Sequence, residues 1–368
     1  MSKFYIPSLD GLRAIAVLLV ITFHFSKVSF IDFDFEIGWV GVQIFFVLSG
    51  YLITRILLEE KRKTFGSYIK MFYWKRLLRI FPLYFGYLLA ILLLFLATGQ
   101  PDDLPQTAPY LFTYTYNFYI ISPEWTVNRL FVHLWSLSVE EQFYLIWPFI
   151  VFFFSEKNFK KIIGLMLIGV PLLRLALALG FADIAPTEDR LGNIVYWFSL
   201  SHFDAFALGG FINFLGQKYI GINRKKWIWG SLALCVILGA FNLLTAYPLN
   251  PNSYSSLGFL IHGLLNYQHV WSYTVLNIFF AAIIWQLTTS QRKSWLTSKP
   301  LLLIGKISYG MYLFHFPVIM AIDKAFGKPF VNGFVTLILC LIITFVVSII
   351  SYYAYERQFL KLKNIKSF

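Results

Sequence analysis

The chain has 368 residues, of which 58% are hydrophobic, 20% aromatic and only 13% charged. That balance excludes a soluble globular domain and fits a polytopic helical membrane protein. The formal charge of +13 would suit a nucleic-acid binder, but the cations gather at the ends of apolar stretches and so read as membrane topology, with no nucleic-acid partner expected. Cys235 and Cys340 both lie inside apolar runs and form neither a disulfide nor a zinc pattern.

Ten apolar stretches follow in order, at roughly 8–26, 38–58, 73–97, 130–154, 161–180, 193–215, 227–246, 271–289, 300–321 and 331–354. The expected fold class is all-α: a polytopic integral membrane protein with about ten transmembrane helices. The eighth span is the least regular, because the aromatic, half-polar stretch 247–270 before it leaves room for a re-entrant piece. Placing Lys3, 55–79, 156–161, 217–226, 291–306 and the tail from Arg357 in the cytoplasm leaves only Lys27, Arg129, Arg190, Lys324 and Lys328 outside. The outer side then collects acids, among them Asp32, Asp34, Glu36, Asp102, Asp103, Glu188 and Asp189. The positive-inside rule therefore puts both termini in the cytoplasm, with anionic membrane lipids as natural partners. The whole chain, 1–368, reads as a single transmembrane domain.

Ionisable groups at membrane depth are costly, and by default they mark a path or a reaction. Span 1 carries Asp10, Arg13 and His24 on nearly one helical face, with Arg13 and His24 about 16 Å apart along the axis. Span 2 has small residues at Gly38, Gly41, Ser49 and Gly50 that suit close helix packing, and Ser49 can also hydrogen-bond. Arg76 and Arg79 share a face where span 3 begins. Their guanidiniums, helped by the positive end of the helix, suit a phosphorylated ligand from the cytosol, and they equally suit a plain anchor on lipid phosphate. Span 4 reads Trp135-Ser136-Leu-Ser-Val-Glu140-Glu141-Gln142-Phe-Tyr144. An acid at the centre of a span costs about 3 kcal/mol, so the two glutamates need a partner, water or a substrate. They point about 100° apart and meet different surroundings. His202 with Asp204 in span 6, and Ser308 with His315 in span 9, add polar groups near mid-bilayer. The histidines lack the paired spacing of a zinc helix, so no metal site is expected.

Together these residues resemble the bacterial membrane acyltransferase family known as acyltransferase type 3. The similarity rests on Leu9-Asp-Gly-Leu-Arg-Ala14 with His24, Phe45-Phe-Val-Leu-Ser-Gly50, Arg76-Leu-Leu-Arg79, and Trp135 to Tyr144. Ser308-Tyr-Gly-Met-Tyr-Leu-Phe-His315 and Tyr355-Glu-Arg357 complete it. The resemblance implies a ten-helix inner-membrane O-acyltransferase. Such an enzyme takes an acyl group, often acetyl, from acetyl-CoA or another cytosolic acyl-CoA, and places it on a hydroxyl of an extracytoplasmic or lipid-linked glycan. It also implies that Arg13 and His24 are essential and that Arg76 and Arg79 serve the donor. The chain departs from the pattern at His202, where the family often has a basic residue, and at Gln358, where it often has proline. Larger relatives add a soluble esterase-like C-terminal domain, which this sequence does not carry.

On this reading His24 is a general base on the acceptor hydroxyl, oriented by Glu140 or Glu141. Arg13 and Asp10 line the donor's path, and Arg76 and Arg79 hold coenzyme A phosphates. No cofactor is bound permanently, because acyl-CoA is a substrate. Ser49, Ser136, His202, Asp204, Ser308 and His315 are further cavity candidates. The competing reading is a transporter or flippase for a glycan or lipid-linked sugar, which a polar intramembrane cavity suits equally well.

Overall fold

The structure, a computed structural model, describes residues 5–28, 34–99, 104–126, 128–215, 224–246, 254–261, 263–289, 294–326 and 333–364. Lys3, Asp32, Asp102, Asp103 and Lys328, used above to assign sides, lie outside the described residues. The described residues are mostly helical, and no strand occurs among them. In chain order the helices are α1 (Pro7–Val28), α2 (Val40–Glu60), α3 (Phe65–Thr98), α4 (Leu104–Phe112), α5 (Tyr116–Ile121), α6 (Trp135–Phe153) and α7 (Glu156–Phe181). Then come α8 (Glu188–Trp197), α9 (Phe203–Leu215), α10 (Arg224–Ala246), α11 (Gln268–Thr289), α12 (Lys299–Phe326), α13 (Gly333–Ser351) and α14 (Arg357–Lys361).

Eight helices among the described residues are long and apolar enough to cross a membrane. The two other expected spans are helical, with local reasons for falling short. Helix α6 carries Glu140, Glu141 and Gln142, which lower its mean hydropathy. The stretch 193–215 is divided by a 3-10 turn at Ser199–His202 into α8 and α9. The protein is thus an all-α, multi-pass membrane protein.

Local chemistry sets several boundaries. Gly99 closes α3 in the left-handed conformation (φ 71°), with its N–H on the Phe95 carbonyl at 2.9 Å. Ser155 and Thr187 cap α7 and α8, accepting from the N–H groups of Asn158 and Arg190. Acids fill the first turns of both helices, where the helix dipole favours them.

The chain divides into two compact units, residues 1–55 with 154–306 and residues 56–153 with 307–368. In the first, α2 and α9 cross through Gly50 and Gly209. A Cβ on Gly50 would overlap the Phe206 carbonyl, and one on Gly209 would overlap that of Val47. Glycine also brings two segments against α1: Gly11 lies on the Leu296 carbonyl and Gly305 on that of Asp10. Without hydrophobic drive between helices in lipid, such backbone contact supplies much of the packing.

The stretch before α11 is a non-helical segment folded into the first unit. Its carbonyls are capped by side chains: Gly258 by Asn242 (2.8 Å), Phe259 by the Trp39 indole (3.0 Å) and Ile261 by Tyr273 (2.8 Å). Buried backbone outside a helix keeps its carbonyls paired in this way.

In the second unit α3 is the long element. Tyr68 donates to the Pro148 carbonyl (2.9 Å) and Tyr73 to that of Leu145 (2.9 Å), tying α3 to α6. Tyr309 donates to the Ile80 carbonyl (3.2 Å), tying α12 to α3.

Gly50→Val is expected to abolish the monodisperse peak in fluorescence-detected size exclusion, because the Phe206 backbone cannot yield. Gly164→Ala, in open space on α7, is expected to leave it intact and to add about 1 kcal/mol of helix propensity.

Candidate active site

The candidate residues fall into two groups. The first unit holds Asp10, Arg13, His24, Ser49, His202 and Asp204; the second holds Arg76, Arg79, Ser136, Glu140, Glu141, Ser308 and His315.

Helix α1 runs unbroken past all three of its polar residues. Arg13 Nη1 donates to Asp10 Oδ1 at 2.7 Å, and both side chains keep some exposure, at 20% and 14%. Burial and a hydrogen bond to Asp10 push the Tyr5 phenol up to about 12. His24 is half-buried near the far end, its ring 5.2 Å from that of Phe23. That end is firmly held. The Phe35 N–H donates to Ser26 Oγ (3.3 Å), and Lys27 pairs with Glu36 and with Asp34 (3.5 Å). Ser49 is half-buried on α2, next to the glycine crossing with α9.

His202 and Asp204 are fully buried. His202 Nε2 lies 2.5 Å from the Tyr196 carbonyl, so it carries the hydrogen, and Nδ1 accepts from Gln43 Nε2 at 3.0 Å. Both ring nitrogens of a neutral imidazole are thereby committed. Asp204 faces Arg174 of α7, a residue that spacing did not single out although a lone cation in an apolar span is itself a signal. Arg174 Nη2 donates to Asp204 Oδ2 at 2.6 Å, with neither side chain exposed. The same guanidinium donates to the carbonyls of Ser201 (2.6 Å) and Val270 (2.9 Å) and lies over the Tyr273 ring. Asp204 also accepts from the Thr274 hydroxyl (2.5 Å) and from the N–H of Ala205 (2.8 Å). This network joins α7, α9 and α11.

In the second unit Arg76 is half-buried and Arg79 exposed. Helix α3 begins at Phe65, so the two arginines sit about three and four turns inside it. The expected help from free N–H groups at the helix start therefore does not apply to them, because those groups belong to residues nearer Thr64. Residues 65–73 are helical as well and carry α3 back beyond the apolar span. Arg76 lies over the rings of Tyr144 (5.4 Å) and Phe72 (5.9 Å). Glu141 is in electrostatic reach of Glu140 and Arg76, and of Tyr73, Tyr84, Tyr114 and Tyr309. Glu140 reaches Tyr309 and Tyr312. Gln142 donates to the Tyr114 carbonyl (2.8 Å) and to Asn117 Oδ1 (2.9 Å), fixing α5 on α6.

Ser136 lies 2.5 Å from the Tyr312 hydroxyl, which donates to the His133 carbonyl at 2.7 Å. His315 Nδ1 donates to the Tyr312 carbonyl at 2.5 Å, and its ring lies 5.0 Å from that of His133. His133 lies in the fourth apolar stretch, and spacing alone did not single it out. Ser308 is buried one turn before Tyr312.

The match to known proteins covers nearly all of this framework. A family model described as an acyltransferase domain matches residues 6–353. The chain belongs to that acyltransferase family. Among its relatives is the O-acetyltransferase OatA of Staphylococcus aureus, 29% identical over 99% of this chain and 58% of its own length. Another is the peptidoglycan O-acetyltransferase OatA of Listeria monocytogenes, 32% identical over 86% of this chain and 50% of its own length. The chain spans about half the length of the curated relatives it matches. No solved structure matches it.

Asp204→Asn leaves the Arg174 charge buried without a counter-ion, which typically costs about 3–5 kcal/mol. A lower midpoint of thermal unfolding in detergent is expected. The paired replacement Arg174→Met with Asp204→Leu is expected to recover much of the loss.

Proposed function

We propose that this acyltransferase moves an acyl group, acetyl by preference, from cytosolic acyl-CoA to a hydroxyl of an extracytoplasmic or lipid-linked glycan. The reading is carried by the family match over residues 6–353, and the names of the O-acetyltransferase relatives support glycan O-acetylation. The proposed setting is the bacterial cytoplasmic membrane, with the arginine-rich end of α3 inside.

His24 is the proposed general base. It keeps partial exposure, whereas His202 and His315 are fully buried with ring nitrogens on backbone carbonyls. In the proposed step the imidazole takes the acceptor's hydroxyl proton as that oxygen attacks the thioester carbonyl. The C–S bond then breaks, the new ester leaves with the glycan, and the proton returns to the departing thiolate to give free coenzyme A. Arg13 lies about 16 Å along α1 from His24, too far to touch the same oxyanion. Its proposed role, held by Asp10, is to guide the donor. Arg76 and Arg79 are the proposed phosphate contacts, with the Arg76 guanidinium steadied on the Tyr144 ring. Glu140 and Glu141 are proposed to set the charge around the donor arm.

His24→Ala is expected to cut glycan acetylation about 100- to 10,000-fold while leaving membrane level and donor binding unchanged. Mass spectrometry of surface glycans reads the first, and near-normal acetylation would remove the base assignment. Arg76→Ala with Arg79→Ala is expected to weaken acetyl-CoA binding about a hundredfold, as measured by calorimetry on protein in nanodiscs. An unchanged affinity would remove the donor role.

A further inference from the structure

The second unit brings another cation to the arginine face of α3. After α13 the backbone makes a π-helical turn at Tyr352–Glu356, followed by α14 and a 3-10 turn at Leu362–Asn364. Tyr355 pins this segment by donating to the Pro82 carbonyl of α3 at 3.2 Å, and its ring rests on Gly86. From there α14 and the 3-10 turn pack along α3 toward its basic end. Lys363 arrives there half-buried, in electrostatic reach of Arg79, Arg76 and Lys75.

The neighbouring cations have acids to hand. Lys75 pairs with Glu60 at 3.7 Å, Arg76 is within reach of Glu141, and Arg79 is within reach of Glu356. Lys363 has no acidic partner among the described residues. A half-buried ammonium held among like charges is unfavourable unless an anion joins it. The anion suited to three convergent cations is a doubly charged phosphomonoester, rather than the singly charged phosphodiester of a lipid headgroup.

We propose that Lys363 completes, with Arg76 and Arg79, a binding site for a phosphomonoester of the donor, namely the 3′-phosphate of coenzyme A. The inference rests on the acyl-CoA reading above. It adds a residue from the C-terminal segment and makes the 3′-phosphate a determinant of donor choice. Burial, and then Arg79, Arg76 and Lys75, push the Lys363 ammonium down to about 7. The other charges on its own segment are Glu356, Arg357 and Lys361. Donor affinity should therefore fall as pH rises through 7, where the ammonium loses its proton.

The test is calorimetry on the full chain in phosphatidylcholine nanodiscs, titrated with coenzyme A and with dephospho-coenzyme A, which lacks the 3′-phosphate. Lys363→Met is expected to weaken coenzyme A about tenfold and to leave dephospho-coenzyme A unchanged. Lys363→Arg is expected to keep tight binding and to flatten the pH dependence between pH 6 and pH 8. If the wild type binds coenzyme A and Lys363→Met binds it equally well, or loses both ligands alike, the proposal fails while the donor reading stands. If the wild type binds neither ligand, the donor reading itself fails. An effect of Lys363→Met that appears only in phosphatidylglycerol nanodiscs would assign the phosphate to lipid and overturn the proposal.

Discussion

A guanidinium and a carboxylate without exposed surface hold the first unit together. Arg174 and Asp204 meet at 2.6 Å between apolar helices. Desolvating two charges is so unfavourable that the pair persists only because several nearby polar groups contribute. The carbonyls of Ser201 and Val270, the hydroxyl of Thr274 and the face of Tyr273 all do so. Once satisfied, the network permits little sliding of α7, α9 and α11, because a shifted register would leave a charge bare in a low-dielectric interior. Glycine at the crossing of α2 and α9 extends that constraint to α2. Helix α11 packs directly on α1 and carries the constraint there. Helix α1 is thus a fixed rail for Arg13 and His24.

This division of labour separates two kinds of intramembrane polar residue. His202, Asp204, Arg174 and His315 are fully buried, each with a defined set of partners, as residues that specify a fold are. Asp10, Arg13, His24, Glu140, Glu141 and Arg76 keep partial exposure, which the roles proposed for them require. The same residue types thus occur in both settings, and burial rather than identity tells them apart. Tyrosines do comparable work in the second unit. Tyr68, Tyr73, Tyr309 and Tyr355 each reach a backbone carbonyl on a neighbouring helix, two of them around the arginine pair.

Much of this was legible in the sequence. Apolar stretches of the right length announced the spans, since hydrocarbon thickness fixes helix length. The order of short motifs announced the family. The arginine pair on α3 and the polar strip on α1 were visible because helical periodicity places such residues on one face. Contacts between residues far apart in the chain were not visible. Nothing in spacing links Arg174 to Asp204, or Lys363 to Arg79, because such pairs depend on how helices cross. The break between α8 and α9 was hidden for the same reason: the turn at Ser199–His202 is stabilised by Arg174 and Gln43, from distant helices. The start of α3 was misplaced because hydropathy marks where a span enters lipid, and the helix itself begins earlier.

The central claim is that a thioester on one side of the bilayer becomes an ester on the other. The most direct measurement uses proteoliposomes of the purified chain, with acetyl-labelled acetyl-CoA on the face bearing Arg76 and Arg79 and a glycan acceptor on the opposite face. The account expects labelled acetyl on the acceptor and free coenzyme A released on the donor face in equal amounts. Passage of an unmodified glycan across the bilayer, with all label still on coenzyme A, would contradict it.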